Sequence, residues 1–112
     1  MHETALVESM INIVEQQLKA NNLKRLTLLK LLVGDMSGAI PDALRFAFMA
    51  TVAETVHKDA VLEIETIPAE AECRFCGEKF SYQPGMNCPK CEGIAPKLIK
   101  GEELLIEYLE AE

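Results

Sequence analysis

The sequence predicts an α+β fold in which two helices cover a small three-stranded sheet and a cysteine-bearing lobe is inserted between two strands. Apolar residues recur at helical spacing in two segments and alternate at strand spacing in others. All four cysteines of the 112-residue chain fall in one late stretch. This length is enough for one modest core, or for a small core beside a lobe held by a metal.

The first predicted helix spans residues 4–20, and Glu3 suits its start because a carboxylate complements the helix dipole. Its apolar residues recur at steps of three and four: Leu6, Met10, Ile13, Val14 and Leu18. The second predicted helix begins at Pro41 and continues to His57. Its expected buried stripe is Leu44, Phe48, Val52 and Val56, with Phe46 and Met49 beside it. His57 is expected on the surface at the helix end, where a positive charge is favoured.

Two of the three predicted strands precede the lobe. Residues 24–33 form an apolar run in which Leu29 and Leu31 share one face and Leu26 lies on the other. Residues 60–67 alternate between apolar and polar side chains, as expected of a half-exposed strand.

The third predicted strand, residues 102–110, follows the lobe, and Tyr108 is expected to share a face with Leu104. The strands before and after the lobe are expected to pair antiparallel with each other. The main domain would then comprise residues 1–67 and 99–112, and the metal-binding domain residues 68–98.

The cysteines form two C-x-x-C pairs separated by eleven residues: Cys73, Cys76, Cys88 and Cys91. Two such turns can close a tetrahedron of sulfurs around one cation, and Zn²⁺ accepts four thiolates, so the spacing predicts a zinc-ribbon-like lobe. Because a closed four-cysteine site leaves no position open for a substrate, the zinc is expected to be structural. Gly77 suits a tight turn after the first pair, whereas Pro89 and Gly93 predict a less regular second turn.

Other uses of these cysteines are weaker alternatives. Rubredoxin-like iron has the same ligand set and is the main rival metal. Disulfides require an oxidising compartment, and the chain opens without the basic and apolar segments of a signal peptide, which favours a cytoplasmic location. A redox dithiol would need a single C-x-x-C opening a helix, and Pro84 and Gly85 favour a loop between the pairs.

The charge pattern argues against nucleic acid as a partner. The formal net charge is −7, from 18 acidic and 11 basic residues. Between residues 72 and 100 five basic side chains stand against three acidic ones, and Zn²⁺ with four thiolates is itself negative, so the lobe is near neutral. A protein partner is therefore favoured over phosphate binding. No run of about 18 apolar residues is present, so no membrane span is expected.

The start of the chain, Met1-His2-Glu3, has no role in the predicted core. Taken alone, a histidine near a terminus is an exposed residue without a function. These residues can nevertheless bind a cation through the Met1 amine, the amide nitrogens of His2 and Glu3, and the His2 imidazole. Such a set of four nitrogens is planar, which is the preference of Ni²⁺ or Cu²⁺ and differs from that of Zn²⁺.

Together, these motifs make the chain resemble the HypA/HybF family of hydrogenase nickel-incorporation proteins. The specific part is Met1-His2-Glu3 before a helix, combined with C-x2-C-x11-C-x2-C late in a chain of this length. The resemblance covers essentially the whole chain, including segments 41–48, 62–69 and 101–106.

The resemblance implies a nickel metallochaperone that is not an enzyme. It implies delivery of Ni(II) into the precursor of the [NiFe]-hydrogenase large subunit with a HypB-type GTPase and, in some organisms, urease maturation with urease accessory proteins. It places nickel on Met1, His2 and Glu3. It places structural zinc on the four cysteines already named. A monomer and a homodimer are both compatible with the sequence.

Two other functions stay open on the residues themselves. A zinc-ribbon adaptor would bind a protein or RNA partner and have an idle amino terminus. A rubredoxin-like electron carrier would hold iron and be red. No catalytic arrangement is evident, because all four cysteines are used and the only histidines are His2 and His57.

Overall fold

The computed structural model describes residues 2–112, which form two helices and six strands in two separate sheets. In chain order these are α1 (Glu3–Ala20), β1 (Leu26–Gly34), α2 (Pro41–Val52), β2 (Val61–Ile67), β3 (Glu70–Glu72), β4 (Lys79–Ser81), β5 (Lys97–Lys100) and β6 (Leu104–Ala111). The molecule is elongated, with extents of 54 × 25 × 17 Å. Within these residues, neither helix combines the length and apolarity needed to cross a membrane. The expected α+β class, with its separate four-cysteine lobe, is confirmed.

β1 is the central strand of the main sheet, in the order β2-β1-β6. β2 runs parallel to β1, with α2 as the crossover that a parallel pair needs, and β6 runs antiparallel to it. The prediction that the strands flanking the lobe pair with each other is therefore wrong. The physical reason is that β1 is almost continuously apolar and would be hazardous at an edge, whereas β2 and β6 carry glutamates that suit edge positions.

Both helices pack on one face of this sheet. The buried apolar core is Val7, Met10, Val14, Leu18, Leu26, Leu29, Leu31, Val33, Leu44, Ala47, Phe48 and Val52. The pairing of β1 with β6 has irregularities between Leu26 and Leu28 and between Lys30 and Leu31. Because such a shift reverses the faces of the residues beyond it, Leu26 joins Leu29 in the core. Tyr108 lies on the open face instead, with its ring 5.8 Å from the Lys30 ammonium.

The second helix is shorter than predicted, because the chain turns after Val52. The carbonyl of Val52 accepts hydrogen bonds from both the backbone N–H and the hydroxyl of Thr55, at 3.0 and 2.8 Å. The turn leaves Val56 exposed, so its predicted place in the buried stripe is wrong.

His57 is buried, with 1% of its surface exposed, so the prediction of a surface residue is also wrong. Its Nδ1 accepts a hydrogen bond from the Leu26 N–H at 3.0 Å, and its Nε2 lies 2.6 Å from a carboxylate oxygen of Glu15. Because Nδ1 accepts, the ring proton is on Nε2 and is donated to Glu15. One imidazole thus joins α1, the start of β1 and the turn after α2.

Replacing this imidazole is expected to weaken the main domain. His57→Ala should lower the free energy of unfolding by about 2–4 kcal/mol, because it opens a cavity and leaves the buried Leu26 N–H without an acceptor. Urea unfolding followed by circular dichroism measures the change. Lys58→Ala, at the exposed next position, is the control and should stay within about 0.5 kcal/mol of the parent. Equal stability of the two variants would contradict this account.

The lobe contains the second sheet, in the order β4-β3-β5, with both pairs antiparallel. β5 extends across residues 98 and 99, where the sequence placed the boundary between the two domains. The division into residues 1–67 plus 99–112 and residues 68–98 stays a prediction.

The lobe joins the main sheet where chain segments cross at close range. The Met36 N–H donates to the Gly101 carbonyl at 2.7 Å, and the Gly34 N–H donates to the Glu103 carbonyl at 2.6 Å. Gly101 is buried at a φ of 111°, and a β-carbon there would lie 2.7 Å from the Cα of Ala69. Glycine is required at this position for both reasons, and the crossing fixes the base of the lobe.

Candidate metal centre and amino-terminal cleft

The four cysteine sulfurs of the lobe converge on one point, with all four within 4.8 Å of one another. The Sγ atoms of Cys73 and Cys91 are 3.4 Å apart, and those of Cys76 and Cys88 are 3.7 Å apart. A tetrahedral Zn²⁺ site with Zn–S distances of about 2.3 Å requires S–S separations of about 3.8 Å. These separations far exceed a disulfide bond, which is about 2.05 Å long. The four cysteines are therefore free thiols arranged so that they could hold one metal ion.

Both C-x-x-C pairs adopt the same backbone turn. The Sγ of Cys73 accepts hydrogen bonds from the N–H groups two and three positions later, both at 3.4 Å. The Sγ of Cys88 accepts the equivalent pair at 3.4 and 3.5 Å. Each turn then places one residue at positive φ, Gly77 at 79° and Glu92 at 63°. The prediction of a less regular second turn is wrong, because Glu92 adopts the conformation that Gly77 adopts in the first.

Gly93 serves the site through its small size. A β-carbon there would lie 2.6 Å from the Phe75 ring and 3.1 and 3.2 Å from the sulfurs of Cys73 and Cys91. Gly93 therefore lets the second turn approach the first closely enough for the sulfurs to converge.

Relieving the strain at Glu92 is expected to stabilise the lobe. A non-glycine residue in the left-handed region costs roughly 1–2 kcal/mol, so Glu92→Gly should raise the stability of the metal-loaded protein by up to about 1 kcal/mol after the entropy of glycine is counted. Thermal unfolding measures the gain. Lys90→Gly, an exposed position in the same turn without positive φ, is the control and should be destabilising. A lower melting temperature for Glu92→Gly would contradict the prediction.

The thiols do not ionise alike without a cation. Backbone N–H groups of Cys76 and Phe75 directed at the sulfur lower the pKa of Cys73 to about 6. The Gly93 N–H favours the Cys91 thiolate, but the neighbouring sulfurs of Cys73 and Cys76 and burial outweigh it and raise the pKa of Cys91 to about 12. Four adjacent thiolates repel one another, so a cation is needed for all four to lose their protons, and acid should release it.

Two of the candidate nickel residues, His2 and Glu3, lie at the start of α1, which begins one residue earlier than predicted. His2 is the residue before the helix, with an exposed side chain, and its carbonyl accepts a hydrogen bond from the Leu6 N–H at 3.1 Å. The first N–H groups of a helix have no partner inside the helix, so the amide nitrogens at positions 2 and 3 stay available. Met1, the third predicted nickel ligand, lies outside the described residues.

His2 and Glu3 share a cleft of about 290 Å³ with the amino-terminal half of α2. Its lining consists of His2, Glu3, Thr4, Ala43, Phe46 and Ala47. Leu6 and Leu104 line a neighbouring groove, and Leu104 pairs with Val33 at the end of β1. The cleft therefore lies toward the end of the main sheet from which the lobe projects. Among residues 2–112 the cysteine cluster includes no histidine or carboxylate, so the two candidate sites are separate.

A four-cysteine cluster that could hold a metal ion, together with a separate exposed histidine at the start of α1, is typical of a metal-binding protein. Residues 1–111 match the family model described as "Hydrogenase/urease nickel incorporation, metallochaperone, hypA". The chain therefore belongs to the HypA family of nickel metallochaperones, which are maturation factors for hydrogenase and not enzymes. The resemblance inferred from the residues is confirmed.

Two relatives show how fully the chain is matched. It is 40% identical over 114 residues to the hydrogenase maturation factor HypA of Desulfitobacterium hafniense (strain DSM 10664 / DCB-2), covering 100% of this chain and 99% of that one. It is 35% identical over 113 residues to the HypA of Geobacter metallireducens, covering 100% of both.

The solution structure of the Ni metallochaperone HypA from Helicobacter pylori aligns with a TM-score of 0.68 at 29% identity, over 99% of this chain and 97% of that chain. A second solution structure of a HypA protein gives 0.73 at 28% identity, over 99% and 96%.

Proposed function

We propose that this metallochaperone holds Ni(II) on Met1, His2 and Glu3 and delivers it into the precursor of the [NiFe]-hydrogenase large subunit, while Zn(II) on the four cysteines holds the lobe. The observation that carries the nickel part is the position of His2. Its exposed imidazole and its amide nitrogen lie together at the start of α1, in a cleft beside Glu3.

The start of a helix suits the nitrogens that nickel would use. An amide that binds Ni²⁺ loses its proton and becomes negative, and the amino-terminal end of a helix carries a partial positive charge that stabilises a negative group. The amides of residues 2 and 3 can do this without breaking a helical hydrogen bond, because the first such bond in α1 is donated by the Leu6 N–H. The half-buried Glu3 side chain lines the same cleft and is suited to orienting His2.

Exposure of this site favours transfer over storage. A cation held by an exposed imidazole and backbone nitrogens can be approached by a partner's ligands and passed on by ligand exchange. Because every donor must lose a proton or stay unprotonated, binding weakens in acid.

The four-cysteine centre fits zinc in a structural role. Four sulfurs within 4.8 Å of one another can fill all four positions of a tetrahedral ion, which leaves none open for a substrate or a receiving ligand. Cys73 and Cys88 are buried, and each accepts two backbone hydrogen bonds, which holds its sulfur in place. Such a site retains its ion while the amino terminus exchanges nickel.

The partners follow from the same role. A HypB-type GTPase is the proposed companion in hydrogenase maturation, with urease accessory proteins in place of hydrogenase factors where urease is served. The near-neutral lobe and the net charge of −7 fit protein partners and disfavour nucleic acid. The proposed location is the cytoplasm, where thiolate zinc sites persist.

A Ni²⁺ titration of the tag-free protein with its native amino terminus tests the nickel site. The visible d–d band and the released protons would be followed for the parent, for His2→Ala and for a form extended by a few residues before Met1. We expect one Ni²⁺ per chain in the parent and an affinity at least about 100-fold lower in both altered forms, with zinc retained. His57→Ala, compared under conditions where circular dichroism shows it to be folded, is the matched histidine control.

The outcomes separate the alternatives. Loss of binding in His2→Ala and in the extended form, but not in His57→Ala, supports the proposal. Equal binding by all forms would place nickel elsewhere in the chain. An absence of binding in the parent would instead favour a zinc-ribbon adaptor.

A further inference from the structure

The cleft beside His2 has one wall that the fold does not require. On α2 it is lined by Ala43, Ala47 and Phe46, and the Phe46 ring is 77% exposed. The core residues of α2 are Leu44, Ala47, Phe48 and Val52, so Phe46 lies outside the packed core. An exposed aromatic ring thus lies next to the two described residues of the proposed nickel site.

A second exposed apolar residue on the same helix provides a comparison. Met49 is 69% exposed, one turn further along α2. It lines a different cavity, shared with Arg45, Asp59 and Leu62, and does not reach the cleft of His2. Among the described residues, Phe46 is the one large apolar side chain that lines the cleft of His2 and Glu3. A scattered surface hydrophobe would have no such association.

We infer that Phe46 is a positioning residue that walls the nickel-binding cleft and slows the loss of Ni²⁺ from His2. The inference rests on the proposed nickel site at the amino terminus. The small side chains of Ala43 and Ala47 leave space between the ring and the first turn of α1. Water and competing ligands must reach the bound ion to displace it, and a bulky ring on one side of the cleft restricts that approach.

This wall would separate two properties that a carrier needs. The amino-terminal donors set how strongly nickel is held, and the ring sets how readily small ligands remove it. A protein acceptor that displaces the Phe46 ring or docks against it would remove this obstacle, whereas free chelators would meet the ring in place on one side of the cleft.

The test measures the rate at which nickel leaves. Nickel-loaded protein is mixed with an excess of a chromophoric chelator, 4-(2-pyridylazo)resorcinol, and the appearance of the coloured nickel complex is followed by stopped flow. Phe46→Ala should release nickel about fivefold faster, which is about 1 kcal/mol less in the barrier. Phe46→Leu, which keeps apolar bulk, should restore most of the parent rate, and Met49→Ala should match the parent. Melting temperatures of the variants are compared in parallel.

The release rates of the variants show whether Phe46 slows the loss of nickel. Faster release from Phe46→Ala, with partial rescue by leucine and an unchanged melting temperature, supports the wall. Release at the parent rate from a Phe46→Ala protein whose nickel binding still depends on His2 overturns this inference and leaves the proposed nickel site intact. Equal acceleration by Met49→Ala also overturns it. Nickel binding that does not depend on His2 in the parent overturns the proposed site and the inference with it.

Discussion

Removing the metal from the four-cysteine centre is expected to unfold the lobe while the two helices and the main sheet stay folded. The main core contains twelve buried apolar residues from both helices and β1. The lobe has little apolar core of its own: its buried residues are Ala69, Ala71, Cys73 and Cys88. Binding of a structural Zn²⁺ supplies about 10–16 kcal/mol in small zinc modules, which far exceeds what two buried alanines contribute.

Hydrogen exchange measures this effect residue by residue. The backbone N–H groups of β3, β4 and β5 should lose protection when a chelator removes the metal, and those of β1 should keep it. Cys88→Ser gives the same result without a chelator, because it removes one buried ligand. Lys90→Ala, which alters an exposed residue of the same turn, is the control and should leave the lobe protected. Protected N–H groups in a metal-free lobe would show that the metal does not hold the fold.

Gly34→Ala is expected to lower the free energy of unfolding by about 3 kcal/mol, at the upper end of the usual cost of overpacking. A β-carbon at Gly34 would overlap the backbone carbonyl of Gly101. That carbonyl cannot withdraw freely, because it accepts a hydrogen bond from the Met36 N–H at 2.7 Å. The clash is between backbone atoms, so no change of rotamer relieves it.

Gly38→Ala is a suitable control for this substitution. Gly38 lies in the same connection and has a φ of 85°, and a β-carbon added there would have no neighbouring atom within 4 Å. Its replacement should cost only the strain of positive φ, about 1 kcal/mol. Guanidinium unfolding of both variants separates the two contributions. If Gly34→Ala is no less stable than Gly38→Ala, the close crossing does not constrain the protein.

The features that the sequence predicts correctly are those with local determinants. The period of the apolar residues predicts α1 and β2 within a residue or two, and the cysteine spacing alone predicts which four sulfurs meet. The proximity of His2 to Glu3 follows from their adjacency in the chain.

Local sequence patterns do not predict a residue's environment where that environment depends on distant segments. His57 follows a helix and reads as a surface residue, but its partners Glu15 and Leu26 lie 42 and 31 positions away. The central place of β1 depends on which strands flank it, and the helical period alone does not show that Phe46 faces the cleft of His2. The sequence does not predict the positive φ of Glu92 for another reason: glycine is the usual residue at positive φ, and here a glutamate takes its place.

The lobe is an insertion between β2 and β6 and contributes no strand to the main sheet. β2 ends at Ile67, which pairs with Gly34, and β6 begins at Leu104, which pairs with Val33. The last residue of β2 and the first residue of β6 therefore lie at the same end of the sheet, on either side of β1. Two interstrand spacings separate them by about 10 Å. An extended segment of about three to four residues spans that gap. A short loop could thus replace the whole lobe without altering the sheet order, and the same position could accept a different module while the amino-terminal cleft stays in place.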